Sequence, residues 1–426
     1  MRRVPLTGPD RVLLQFDLDH GSCIVGIEVR VEGTLEDERL RSAVSTAMAR
    51  HPMARAQLVR AGDEFYWGIA EIPDRLPLQV RDCPDDASLH QMRIDFLHDA
   101  PGLDLLPPFD LLVAHHPEGD RLIFSLHHAV GDGVGGFRLL ASILRAYVRL
   151  PDPIPELDPL AARDLRSLPG HQGIRGGLKR VPLLARSLAR ASGEAAQVAS
   201  GGGQEGSSER GVSLVRLDSE EMATVLARKR PPATLNDVLL AGFAVAARRW
   251  NDARGFEPTR MVLTVPVNVR PAEWSAELIA NMAISMPISI NEQAQLDFNR
   301  GQLALAEGTQ SLKESAKRMA HGGSILPKSV KRLVKPMLPR ASAERTETAI
   351  VTNMGRSDLP AELGEEAGRL LETWLIGAPP MPNGVSMAAV SMGKELFLTC
   401  RYTRRLFDGQ HGDEFLTSIR DVLLGR

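Results

Sequence analysis

The sequence predicts a two-lobed α/β protein, and three observations carry that reading. Strand-like and helix-like hydrophobic periods alternate through the first 150 residues, the same rhythm restarts after residue 211, and a Pro-, Gly- and Ser-rich connection separates the two. The chain has 426 residues, enough at roughly 150 per domain for two or three domains with real cores. Its composition, 43% apolar and 24% charged, is that of a soluble globular protein. Fifty-one Lys and Arg against 53 Asp and Glu leave a formal charge of -2, so no global basic field is available to hold nucleic-acid phosphates.

In the first half, Ile24 to Val31 alternates as a strand. Thr34 is placed to cap a helix from about Leu35 to Arg50, whose Leu40, Ala43, Val44 and Ala47 share one face, and His51-Pro52 ends it. Phe109 to Ala114 and Arg121 to Leu126 are apolar runs joined by Pro117-Glu118-Gly119-Asp120, which predicts a β-hairpin. Phe137 to Leu150 has helical spacing. Pro151, Pro153, Pro155 and Pro159 predict an extended connection, and Ala195 to Gly211 a flexible surface loop. These features divide the chain into an N-terminal lobe over 1–160, a basic and flexible connection over 161–211, and a C-terminal lobe over 212–426. The second lobe begins with Val212 to Leu217 as a strand and Leu235 to Trp250 as a largely buried helix. Met261 to Val269, Ala283 to Ile290 and Leu396 to Tyr402 read as strands, and a final helix runs from about Gly412 to Leu424.

The three cysteines, Cys23, Cys83 and Cys400, are too widely spaced for a CxxC pair or a disulfide framework, which fits a reducing compartment. No apolar core follows the N-terminal arginines, so no secretory signal is read there. The longest apolar run, Val238 to Ala247, is about half of a membrane span. The expectation is a cytoplasmic protein.

The chemistry concentrates in His127-His128-Ala-Val-Gly131-Asp132-Gly133, where two histidines close a strand and a glycine-bearing turn leads into a helix. Neighbouring residues on a strand point to opposite faces, so only one imidazole can look into a given cleft, and a metal site using both is disfavoured. A histidine held at a strand end has the pKa range and the rigidity of a general base, although such pairs also serve structure alone. Gly131 to Gly136 also fits GxGxxG, but Asp132 would set a negative charge beside a pyrophosphate and no acidic residue closes a following strand. A near copy, His115-His116-Pro-Glu-Gly-Asp120, lies in the predicted hairpin turn and reads as an exposed coincidence.

His127-His128-Ala-Val-Gly-Asp132-Gly133 resembles the HHxxxDG motif of the chloramphenicol acetyltransferase-like acyltransferases. Supporting pieces follow in that family's order: His51-Pro52-Met-Ala-Arg55, Pro107-Pro108-Phe109-Asp110, Asn236-Asp237, Val265-Pro266-Val267-Asn268-Val269-Arg270, Asn281, Thr352-Asn353-Met-Gly355 and Arg405-Leu406-Phe407-Asp408. Several look closest to the bacterial wax ester synthase/diacylglycerol acyltransferase branch and to free-standing condensation enzymes. The DFGWG box of the plant-type branch is absent, and aromatic residues make up only 4% of the chain.

The resemblance implies two lobes, each a mixed sheet with flanking helices, around a tunnel at their interface. It implies acyl transfer from a thioester donor, acyl-CoA, to a hydroxyl or amine, with esters favoured and no permanently bound cofactor or metal. His128 would be the general base. Asp132 would organise the turn by pairing with Arg270, with His127 and Gly133 as structural support, and Asn281 would line the tunnel, face the oxyanion or simply satisfy backbone at a strand start. Two further readings stand beside this one: a condensation enzyme using a donor on an acyl carrier protein in natural-product biosynthesis, and a non-catalytic member that binds a carrier or an acyl chain. Two basic stretches, Arg163 to Arg190 and Lys313 to Arg340, are open to three readings: a solvated face, peripheral contact with an anionic membrane, or a site for the phosphates of coenzyme A or phosphopantetheine. Lys331, Arg332 and Lys335 are the candidates for donor phosphates.

Overall fold

A computed structural model of the chain describes residues 1–20, 23–62, 64–98, 101–104, 107–154, 156–168, 195–207, 209–257, 259–274, 277–321, 347–377 and 384–426. Its fourteen strands among those residues are β1 (Arg2–Pro5), β2 (Ile24–Val31), β3 (Ala56–Ala61), β4 (Glu64–Ile69), β5 (Leu78–Asp82), β6 (Phe109–His115), β7 (Arg121–His127), β8 (Arg210–Leu217), β9 (Met261–Asn268), β10 (Ala283–Ile290), β11 (Ala349–Arg356), β12 (Leu370–Ile376), β13 (Val385–Met392) and β14 (Glu395–Thr403). They form a five-stranded sheet in the order β12-β2-β7-β6-β5, a six-stranded sheet in the order β10-β9-β11-β13-β14-β8, and a small sheet β1-β4-β3. Both large sheets are mixed: β5 runs parallel to β6, and β11 parallel to β9 and β13.

Each sheet buries a face as the hydrophobic periods require. The helices Asp37–Arg50 and Gly133–Tyr147 lie over the five-stranded sheet, with Leu40, Val44, Leu140 and Leu144 packed among Ile27, Phe109, Leu111 and Phe124. The opposite face is covered by the helix Asp86–Phe96, which is anchored by a buried bidentate contact from Arg93 to Glu28 (2.5 and 2.7 Å). The six-stranded sheet carries the helices Leu235–Asp252, Phe298–His321 and Gly409–Leu424, and Phe243, Trp250, Phe407 and Phe415 meet edge to face or tilted where the first and last of these pack.

Helix ends differ from the sequence reading where a side chain caps the backbone. Glu36, not Thr34, accepts from Glu38 N and Arg39 N, so that helix starts at Asp37. Asp132 caps the helix Gly133–Tyr147 four residues ahead of the periodic signal at Phe137, and Asp408 caps the last helix at Gly409. The helix Gly8–His20 and the small sheet went unread. The Thr7/Asp10 pair, exchanging Thr7 N to Asp10 Oδ2 (3.0 Å) and Asp10 N to Thr7 Oγ1 (3.3 Å), was the available signal for that helix.

Two sequence readings meet a different environment. The Gly- and Ser-rich stretch read as a surface loop has Ala195, Val198 and Ala199 buried against the second lobe. Ala199 N donates to Asn251 Oδ1 (2.8 Å), Trp250 Nε1 to Ala199 O (2.9 Å), and Gly201 N to Leu406 O (2.8 Å). Small side chains there let the backbone approach closely instead of leaving it loose.

The near copy of the motif is likewise not exposed: His116 and Asp120 are buried. Asp120 Oδ2 accepts from Leu35 N (2.7 Å) and lies 2.8 Å from His115 Nδ1, tying the hairpin turn to the start of the helix Asp37–Arg50. Asp120→Ala orphans a buried N–H, and urea unfolding is expected to show a loss of about 1–3 kcal/mol.

Candidate active site

The motif sits where β7 runs out between β2 and β6. His127 N donates to Pro108 O (3.0 Å) and His128 N to Cys23 O (2.9 Å), so both neighbouring strands hold the strand end. The side chains then part as strand alternation demands. His127 turns toward the helix Gly8–His20: its Nδ1 accepts from Ala129 N (3.2 Å) and its Nε2 lies 2.9 Å from Asp17 Oδ2, which places the ring proton on Nε2. Asp17 also accepts from Cys23 N (2.9 Å). Both ring nitrogens of His127 are therefore occupied.

His128 is half-buried, with Nδ1 enclosed and without a partner from another residue, which leaves Nε2 as the accessible nitrogen. Burial lowers its pKa below the ordinary histidine value; the Asp132 charge, its own backbone carbonyl and the Asn281 side chain oppose that shift without reversing it. The ring is neutral at pH 7 and able to accept a proton.

Asp132 and Arg270 meet across the two lobes. Arg270 Nη1 donates to Asp132 Oδ2 (2.8 Å) and Nη2 to Oδ1 (2.7 Å), with the guanidinium fully buried. Met282 N (2.8 Å) and Gly135 N (3.1 Å) complete four donors on one carboxylate. Burial alone would raise the Asp132 pKa; the Arg270 charge and these hydrogen bonds outweigh it and hold the carboxyl below its usual range. Asn268 Oδ1 accepts from both Arg270 N (3.0 Å) and Nη1 (3.3 Å), aiming the guanidinium.

The segment 279–282 of the second lobe is laid along the turn. Ala280 O accepts from Asp132 N (3.2 Å) and Arg270 Nη2 (2.5 Å), and Asn281 Nδ2 donates to Ala129 O (2.9 Å). Gly135 permits this approach: a Cβ there would stand 3.3 Å from both Ala280 N and Ile279 Cα. Gly133 faces Met354 in the same way, its added Cβ meeting Sδ at 3.2 Å. Asn281 is buried, and its amide nitrogen donates to Ala129 O in the turn that follows His128.

The remaining sequence candidates lie elsewhere. Asp237 caps its own helix by accepting from Thr234 N (2.7 Å), and half-buried Asn236 sits beside it. Lys331, Arg332 and Lys335 fall outside the described residues, as does most of the first basic stretch. The N–H groups of Gly135 and Gly136 are taken by Asp132 Oδ1 and O, so the GxGxxG reading finds no open phosphate cradle at those two positions. Among the described residues no helix is long and apolar enough to cross a membrane. Sequence reasoning missed Asp17, the partner of His127, because the helix that carries it was itself unread.

The uncharacterized protein Rv2305 of Mycobacterium tuberculosis is 32% identical to the chain over 434 residues, covering 98% of each. A second protein of that organism, Rv2484c, provisionally named as a diacylglycerol O-acyltransferase, is 27% identical over 441 residues, covering 90% of this chain and 83% of its own. Among solved structures, a variant of the starter condensation domain of rhizomide synthetase, in complex with C8-CoA and Leu-SNAC, superposes with a TM-score of 0.72 at 15% identity, covering 100% of this chain and 95% of that one. The trichothecene 15-O-acetyltransferase TRI3 of Fusarium sporotrichioides superposes at 0.70 and 12% identity, covering 99% and 94%. The chain belongs to the same family as Rv2305, and its fold is that of the condensation domains and acyltransferases on which it superposes. No family model matches it. That fold is present here with His127–Gly133 at the seam of the two sheets.

Removing either member of a buried, hydrogen-bonded pair strands the other charge. Asp132→Ala and Arg270→Ala are each expected to lose about 3–5 kcal/mol in chemical unfolding, and the double variant less than their sum. Strictly additive losses would show that the two act independently. Because the Asp132 pKa is lowered on folding, its contribution is complete above the unfolded value of 3.8 and is lost as pH falls below it. The deficit of Arg270→Met is therefore expected to be largest near neutral pH and to shrink as acid protonates Asp132, read from urea unfolding across pH.

Proposed function

We propose that the chain transfers an acyl group from acyl-CoA to a hydroxyl acceptor, with His128 Nε2 as general base. The observation that carries this reading is a neutral imidazole with one accessible nitrogen, held on a turn that four donors to Asp132 make rigid. Nε2 takes the proton from the acceptor hydroxyl as its oxygen attacks the thioester carbonyl. The tetrahedral intermediate expels the thiolate, which recovers the proton from the imidazolium, giving an ester and free coenzyme A. The enzyme ends unchanged and no acyl-enzyme is required. Asp132 does not touch the reacting atoms; it is a positioning residue.

Two findings favour this donor and acceptor: the C8-CoA in the condensation-domain complex and the O-acyltransferase name of the mycobacterial relative. The likeness to condensation domains supports a second reading, a carrier-bound thioester donor with an amine acceptor. Thiol release measured with acyl-CoA, acyl carrier protein and hydroxyl or amine acceptors separates the two. No thiol release with any pair would leave the carrier- or acyl-binding reading.

His128→Ala is expected to lower kcat by about 10²–10⁴-fold with little change in Tm. His127→Ala, which empties the contacts to Asp17 and Ala129, is expected to lower Tm more than turnover. Exchange of those two phenotypes would assign the base to His127.

The pH profile offers an independent check. A base must be unprotonated, and burial lowers the His128 pKa from 6.5, so the acid limb of kcat/KM is expected to fall below pH 6.5. A limb above that value would contradict the assignment.

A further inference from the structure

Two backbone N–H groups flank the side chain of His128, its own and that of Ala129. His128 N donates to Cys23 O (2.9 Å) and Ala129 N to His127 Nδ1 (3.2 Å). Both acceptors lead back to a single carboxylate. Asp17 Oδ1 accepts from Cys23 N (2.9 Å), and Asp17 Oδ2 lies 2.9 Å from His127 Nε2.

The Ala129 contact depends on which ring nitrogen of His127 carries the proton. Nδ1 accepts an N–H only while the proton is on Nε2, and a carboxylate, which can only accept, keeps it there. His127 is buried, so water has little access to either nitrogen.

The helix Gly8–His20, which carries Asp17, is itself fixed at its other end. Buried Asp10 accepts from Thr7 N (3.0 Å), from Trp67 Nε1 (2.9 Å) and from Arg163 Nη2 (3.1 and 3.0 Å). Val12 and Leu18 are exposed, so the helix packs on one side only and polar contacts at its two ends hold it in place.

We propose that Asp17 is a positioning residue for the base: through the tautomer of His127 and the peptide of Cys23 it fixes the backbone on both sides of His128, and with it the direction of Nε2. The proposal rests on His128 as the base of the proposed acyl transfer.

Asp17→Asn keeps the shape of the side chain and loses the function in either orientation. With its oxygen toward His127, its NH₂ meets the Cys23 N–H. Turned over, the NH₂ meets His127 Nε2 and drives the ring proton to Nδ1, against the Ala129 N–H. Each arrangement sets a donor against a donor. His127→Ala differs, because it leaves Ala129 N free to find water.

Nitrogen NMR of the full chain labelled at histidine, with hydrogen exchange of the His128 and Ala129 amides, tests this without turnover. In the wild type the His127 proton is expected on Nε2; a proton on Nδ1 there overturns the proposal, whatever the variant does. In Asp17→Asn the proton is expected to move to Nδ1, or exchange at the two amides to rise about tenfold. The kcat for thiol release is expected to fall about tenfold with the KM for acyl-CoA unchanged. A merely structural Asp17 would lower Tm and leave kcat per folded molecule as it was, and that result overturns the proposal, as do an unmoved proton and unchanged exchange. Absence of thiol release from the wild type with every donor and acceptor defeats the acyl-transfer reading instead, and the NMR and exchange results still decide whether Asp17 holds this backbone.

Discussion

The bidentate contact between Asp132 and Arg270 is the constraint on which the candidate site depends. One carboxylate does three jobs: it caps the helix Gly133–Tyr147, it receives a guanidinium from the far lobe, and it accepts the Met282 N–H at the start of β10. Those jobs compete for lone pairs, and the carboxylate's two oxygens satisfy all of them only when turn, helix and second lobe are in register. Gly131 and Gly133 make the turn pliable by themselves, so its geometry is imposed from outside. His128 inherits its position from an interaction it takes no direct part in.

Legibility in the sequence follows from how local each determinant is. The motif and the strand before it are contiguous, so residue order exposed them, and Arg270 was found because its flanking Val-Asn-Val-Arg-Pro has a family counterpart. The interlobe contact of 279–282 was not legible beyond Asn281, because Ala280 and Met282 act through backbone atoms, which carry no residue-type signal. Asp17 escaped for another reason: an amphipathic period is weak in a helix that leaves Val12 and Leu18 exposed.

Composition misled in two places for a common cause. Gly and Ser in 195–207 and a turn-rich tetrapeptide ahead of Arg121 both signal solvent exposure on average. In this fold the first lets the backbone at Gly201 lie against His411 and Leu406, and the second puts Asp120 beneath the Leu35 N–H. Small and turn-forming residues mark places where backbone comes close to something, and that something need not be water.

The path of β12 limits how this molecule can move. The chain leaves the six-stranded sheet after β11, lends β12 to the edge of the five-stranded sheet beside β2, and returns as β13. A hinge that opened the lobes widely would have to strip a seven-residue strand from its ladder or stretch the connections on both sides of it. Wide opening of the lobes would work against that ladder, whereas shear and small rotations would leave it paired. The same path means that the halves cannot be separated by a single cut. An N-terminal fragment would expose β2 as a bare edge primed to pair with its neighbours, and a C-terminal fragment would carry a strand with no sheet to join.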